Sequence, residues 1–291
     1  MTAAIEARRW AVRRCLIIAG VLALGKLAIG FFTGSLGILA SAVDSTLDIL
    51  LSSVNYWSLR IADRPADANH RYGHGKIESL AGLFESLVIM WCGGIIVAES
   101  WKRLWHPQPL GHVELGVATM AVSAAASYWL VRSIRRAQRQ TESAILRSES
   151  VHYASDALAN VGVVLTLLLV RWTGQAWWDL VISIVIAASI LWSAGRLLKG
   201  VIDELMDREL PEKLQKAVAD AILSFHPQIV GFHNLRTRQV GPRKFIDVHI
   251  EIRGEQSFQR AHELTESLIK SLEQRVPGAD VTVHYDPEGA Q

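Results

Sequence analysis

Two of the apolar stretches in this sequence carry acids and a histidine at a spacing of four, and that conflict with lipid constrains the chain more than any other feature. A bilayer core is about 30 Å thick and takes roughly 20 mostly apolar residues as helix. Six stretches reach that length, at about 15–32, 36–59, 80–101, 113–131, 152–170 and 178–198. The second holds Asp44 and Asp48 and the fifth holds His152 and Asp156, so both are marginal by hydropathy alone. Lys26 lies in the first and Glu85 in the third. Ionisable groups inside a span are costly, face the bundle or a wet cavity, and by default mark function.

Half of the residues are hydrophobic, yet mean hydropathy is only +0.22, as a greasy part joined to a polar part would give. The formal net charge of +2 supplies no global field for nucleic acid. Cys15 and Cys92 both sit in apolar runs and read as small buried hydrophobes, without the number or spacing of a disulfide framework or thiolate site. Arg8, Arg9, Arg13 and Arg14 precede the first stretch, but no small-residue cleavage pattern ends it, so it does not read as a cleavable signal peptide.

Basic residues fix an orientation. Those four arginines share one side with Arg60, Arg64, Arg71 and Lys76, and with Arg132, Arg135, Arg136, Arg139 and Arg147. The opposite side has only Lys102, Arg103 and Arg171. Both termini and the loops after spans two and four are therefore expected in the cytoplasm. Trp101, Trp105, Trp172, Trp177 and Trp178 then form an aromatic belt at the outer interface.

The character changes near residue 205, dividing the chain into a six-helix transmembrane domain at 1–204 and a cytoplasmic domain at 205–291. Residues 210–224 read as an amphipathic helix introduced by Pro211, and 229–240 as a strand. Residues 244–253 alternate polar and apolar side chains as a second strand should, with Gly241-Pro242 as the turn. A helix at 261–274 and a short strand at 280–284 complete an αββαβ order, a two-layer α+β domain.

Three constellations carry chemistry. Asp44 and Asp48 lie on one face of their helix, a turn apart, as do His152 and Asp156 on theirs. Either pair alone could serve an interhelical hydrogen bond or a proton. Two matching pairs are best satisfied if the faces meet around one cation, and one nitrogen with three oxygens suits tetrahedral zinc. The second constellation is Asp67, His70 and His74 in the loop between spans two and three, close enough in sequence to wrap one ion and leave a position open. Read alone, it is as readily a polar loop with surface histidines. The third is dispersed through the tail, as His233, His249, His262, His284 and Asp286, each of which singly reads as an ordinary surface or half-buried residue.

Other polar residues are left open or set aside. Lys26 faces the bundle or snorkels, Glu85 relays protons or pairs with a neighbouring polar group, and Asn160 orients a ligand or bonds between helices. His106, His112 and His226 have no acidic or histidine neighbour at ligand spacing.

Taken together these residues resemble the cation diffusion facilitator family over nearly the whole chain, in its bacterial zinc-transporting branch. The most specific local match is Arg64-Pro-Ala-Asp-Ala-Asn-His-Arg-Tyr-Gly-His-Gly-Lys-Ile-Glu78. The resemblance implies that Asp44, Asp48, His152 and Asp156 form the transport site and that Asp67, His70 and His74 form an accessory zinc site. It implies a paired-metal site at a tail dimer interface, on His233, His249, His262, His284 and Asp286, with zinc as both substrate and regulatory ion. It also implies a homodimer, proton antiport, a ferredoxin-like tail, and a salt-bridge interlock between Lys76 and Asp207. The long histidine-rich loop of many eukaryotic zinc members is missing, and 132–150 carries arginines instead, which favours a multi-pass exporter of a bacterial cytoplasmic (inner) membrane.

Coupling can be argued from charge. Metal binding needs neutral His152 and ionised carboxylates, so protons and metal compete for one site. With a divalent ion the four groups sum to −1, and empty they sum to −3, a repulsion that protons relieve. Imidazole favours zinc, copper, nickel or cobalt, while the carboxylates admit manganese or iron. The alternatives are the same transporter moving mainly Fe2+, Mn2+ or Cd2+, or a membrane metal sensor that binds without transport. A membrane metalloenzyme would want a general base, an open coordination position and a substrate cleft. No His-Glu-x-x-His and no nucleophile motif is present, so the chain does not read as an enzyme.

Overall fold

The computed structural model describes residues 2–33, 36–105, 113–175, 177–254 and 257–289. It divides into two compact units, 1–202 and 203–291.

Among the described residues the first unit has six long helices: α1 (Thr2–Thr33), α2 (Leu36–Ala62), α3 (Lys76–Trp105), α4 (Val113–Thr141), α5 (Ala144–Thr173) and α6 (Trp177–Leu205). At about 1.5 Å per residue each exceeds the thickness of a bilayer core. Among the described residues four segments are both long and apolar enough to cross, Lys76–Ala98, Val117–Thr141, Ala144–Thr173 and Val181–Leu205. The first two expected spans fall in α1 and α2, which carry Lys26 and Asp48, and parts of both lie outside the residues whose side chains are described. The helices expose Phe31, Trp57, Trp91 and Trp192 outward, which in water would be an aggregation surface and in lipid is the ordinary outside of a bundle.

Inside the bundle α1 pairs with α2 and α4 with α5, and α1 also packs on α4. One end is an apolar knot of Val12, Cys15, Leu59, Leu130, Ile134, Ile145 and Leu146. Beside it Arg8, which sequence reading treats only as an orienting charge, is buried and ion-paired with both Asp63 and Glu78. Ser143 also donates to Glu78, so the start of α1, the end of α2, the start of α3 and the α4–α5 turn converge on one buried salt-bridged group. Lys26 resolves toward the bundle: its Nζ donates to Ser45 Oγ at 2.9 Å.

The second unit has the expected αββαβ order: α7 (Glu212–Leu223), β1 (Ile229–Val240), β2 (Arg243–Ile252), α8 (Phe258–Arg275) and β3 (Ala279–Pro287). The sheet order is β1-β2-β3, with β1 antiparallel to β2 and β2 parallel to β3 through the α8 crossover. Ser257 caps α8 by accepting from the Arg260 N–H. Along β2 the side chains of Ile246, Val248, Ile250 and Ile252 are buried against Leu264, Leu268 and Leu272 of α8 and Val218 and Ile222 of α7. Alternation at period two then puts His249 and Glu251 on the face without helices. That uncovered face is where the tail's ligand-type residues collect.

Candidate metal centres

Among the described residues, three separate groups of ligand-type side chains have atoms lying within 4.8 Å of one another: Asp48 with His152 and Asp156, Asp67 with His70 and His74, and His233 with His249 and Asp286. Two ligand atoms each about 2.1 Å from a tetrahedral zinc lie roughly 3.4 Å apart, the edge against which each separation is judged.

The first centre exists because α2 and α5 meet along a polar seam. On α2 the seam is Asp48, Ser52 and Asn55, and on α5 it is Glu149, His152, Tyr153 and Asp156. Both sets follow the three-and-four spacing of one helix face. Ser52 Oγ and Tyr153 Oη are 3.1 Å apart, and Asn55 Nδ2 donates to Glu149 at 2.9 Å. These contacts set the register in which His152 Nε2 comes 3.2 Å from Asp48 Oδ1 and 3.6 Å from Asp156 Oδ2. The two separations bracket the tetrahedral edge. They suit a histidine–carboxylate hydrogen bond as well. A buried ring nitrogen aimed between two carboxylates is arranged as a cation ligand would be. The backbone of Asp44 lies on α2 one turn before Asp48, and its side chain lies outside the described residues.

One turn from this centre sits a pair that sequence reasoning half saw. Glu85 pairs with a neighbouring polar group: the Asn55 amide donates to it at 2.8 Å, and the same nitrogen serves Glu149. Glu149 was missed, although its position three residues before His152 on α5 signals the same face. Both side chains are buried.

The second centre is a loop wound around Asp67. Its Oδ1 accepts from the backbone N–H of Asn69 at 2.9 Å and of His70 at 2.7 Å, and chiefly the latter holds the carboxyl below its usual range. His70 Nδ1 lies 3.3 Å from Oδ1 and His74 Nε2 3.2 Å from Oδ2, with the two rings 4.6 Å apart. Between the histidines Gly73 has φ +83°, a left-handed turn that brings the chain back on itself and that other residues resist. His106 and His112 lie outside the described residues.

The third centre uses one row of the tail sheet. His233 on β1 pairs with His249 on β2, which pairs with His284 on β3, so three imidazoles stand side by side. Asp286, two residues on along the same face, lies 3.0 Å from His249 Nδ1, 3.3 Å from His233 Nε2 and 3.3 Å from His284 Nε2. The hydrogen bond from His249, and the charges of the neighbouring histidines, hold the Asp286 carboxyl below its usual range. Glu251 is a further member that sequence reasoning missed, 3.4 Å from His233 Nδ1; its signal is its place two residues after His249. His262 is not brought to the group: it lies on α8 with its ring stacked on Phe258, centroids 6.4 Å apart. Lys76 opens α3, and Asp207, at φ +57°, lies 3.5 Å from Arg238 within the second unit.

A six-helix membrane unit with a polar seam, followed by a small α+β unit with a ligand-bearing sheet, defines a class of membrane transporter. Residues 12–206 match the cation efflux transmembrane domain and residues 210–288 the cation efflux protein cytoplasmic domain. The chain belongs to the cation efflux, or cation diffusion facilitator, family of multi-pass membrane transporters, and α1–α6 are its transmembrane domain. It is 37% identical over 270 residues to the cation-efflux pump FieF of Serratia proteamaculans, covering 93% of this chain and 89% of that one. The corresponding pump of Pectobacterium carotovorum is 36% identical over 273 residues, covering 94% and 90%. Among solved structures, the metal-bound C-terminal domain of the CzcD transporter from Thermotoga maritima is 32% identical, with a TM-score of 0.26, and covers 28% of this chain and 96% of that one.

Proposed function

We propose that the chain exports a divalent transition metal, zinc first, from the cytoplasm in exchange for protons. The observation that carries this reading is the buried His152 on α5, its Nε2 between Asp48 of α2 and Asp156 at 3.2 and 3.6 Å. Asp44, one turn before Asp48, is the fourth ligand of the cargo site. Metal and protons exclude one another there, because the ligands bind metal only when deprotonated. A bundle that opens the site alternately to each side converts that competition into exchange. The termini and the Asp67 loop face the cytoplasm of a bacterial inner membrane, an orientation that the arginine distribution supports.

Asp67, His70 and His74 hold an accessory ion at the cytoplasmic approach. The tail holds metal on His233, His249, His284 and Asp286, and the donor set of imidazoles and one carboxylate suits zinc. His262 stands apart from them within one chain; the resemblance to the family's paired-metal site assigns it to the centre from a second copy, making metal part of a homodimer interface. Imidazole at position 152 favours zinc over manganese.

Proteoliposomes loaded with a zinc indicator and given a pH gradient test the assignment. Gradient-dependent zinc entry supports it. Movement of manganese or iron in place of zinc would retain the transporter and remove the zinc assignment.

A further inference from the structure

One concave feature of the membrane unit belongs to none of the three metal centres. Between α1 and α4 lies a cavity of about 580 Å³ lined by Trp10, Arg14, Trp129, Arg132, Ser133 and Arg136, with small alanines behind them. That size falls within the range of about 300–1,000 Å³ usual for ligand sites. Among the described residues no acidic side chain lines it. Three cations converge on it, and they are held differently from Arg8 and Arg135 at this end of the bundle. Arg8 is buried against Asp63 and Glu78, and Arg135 donates to Ser150. Arg132 and Arg136, by contrast, have no carboxylate partner among the described residues, and Arg14 reaches only Ser133 Oγ, at 3.4 Å, and the Trp10 ring.

The cavity's position along the helices says what meets it. Trp10 lies just before the apolar stretch of α1, and Trp129 lies near the end of the apolar stretch of α4. Both indoles are half exposed, 55% and 51%. Tryptophans at this level mark the boundary between hydrocarbon and headgroups, so the arginines stand at the depth of lipid phosphates. Basic pockets between membrane helices at that depth recognise anionic headgroups, and guanidinium is the side chain best matched to phosphate.

We propose that the α1–α4 cavity binds the phosphate of an anionic phospholipid headgroup, with Arg14, Arg132 and Arg136 as its donors and Trp10 and Trp129 flanking the glycerol region. An occupied site pins the start of α1 to the end of α4 at the end of the bundle that carries Asp63 and Glu78.

Native mass spectrometry of the full-length protein, released from neutral detergent, tests this with phosphatidylglycerol and phosphatidylcholine of equal acyl length. Phosphatidylglycerol should bind more tightly than phosphatidylcholine. Arg136→Gln should weaken phosphatidylglycerol binding about fivefold, and Arg132→Gln with Arg136→Gln about twenty-five-fold. Arg139→Gln, an equal charge loss on α4 at a residue that does not line the cavity, should leave it unchanged. Equal binding of the two lipids, or equal losses in Arg136→Gln and Arg139→Gln, would overturn the proposal. Displacement of phosphatidylglycerol by equimolar inorganic phosphate would assign the cavity to a free anion and overturn the lipid assignment.

Discussion

In the proposed cargo site the imidazole at position 152 would decide two properties at once. It would supply the nitrogen that distinguishes zinc from the metals carboxylates prefer, and as a neutral ligand it would have to lose a proton before metal binds. Replacing His152 with Asp keeps a ligand and removes the nitrogen. The expected result is a several-fold rise in manganese transport relative to zinc, read by competitive uptake in proteoliposomes; an unchanged ratio would refute the selectivity assignment. Asp67 yields a second prediction at this scale. Backbone N–H groups of His70 and Asn69 hold its carboxyl below the ordinary value of about 3.9. A group lowered by folding stabilises the folded loop above that ordinary value and loses the contribution as pH falls through the lowered one. Amide protection at Asn69 and His70 should therefore be flat from pH 7 to 5 and fall only in the acid range. In Asp67→Asn that acid step should vanish.

At the scale of elements, the α2–α5 seam explains why ligands from distant sequence positions coincide. Asn55 is its central rivet, because one amide nitrogen serves both Glu85 and Glu149. Asn55→Ala leaves two buried carboxylates without their donor, at a cost of about 1–3 kcal/mol for each orphaned group, and the thermal midpoint of the metal-free protein should drop. An unchanged midpoint would show that the seam does not set the register. In the loop, Gly73→Ala meets a left-handed φ at a cost of roughly 1–2 kcal/mol. Zinc affinity at Asp67, His70 and His74 should weaken, while flux through the α2–α5 centre persists at saturating metal.

Much of this was legible in the sequence for physical reasons. A spacing of four puts ligands on one helix face, so Asp48, His152 and Asp156 could be matched without coordinates. Period-two alternation around Ile246, Val248 and Ile250 revealed β2. Arg8, Glu149 and Glu251 were not legible as site neighbours. Each depends on which face of one element meets another, and a buried ion pair across 70 residues, Arg8 to Glu78, leaves no local pattern. His262 shows the opposite limit: a histidine among tail ligands in sequence, but stacked on Phe258 away from them within one chain.

For the whole molecule, the tail and the membrane unit are separate compact bodies, and metal in the tail can influence transport only by favouring one state of the membrane part over another. If tail metal regulates transport, truncation near residue 205 should change how flux depends on zinc concentration. An unchanged dependence would reduce the tail to a dimer clamp. Exchange of metal for protons at the α2–α5 centre is tested by simultaneous recording of zinc entry and counter-moving protons in proteoliposomes. In the intact protein both fluxes should rise together with the imposed gradient, and in Asp48→Ala both should disappear. Zinc flux that survives in Asp48→Ala, or proceeds in the intact protein without proton movement, would contradict the account.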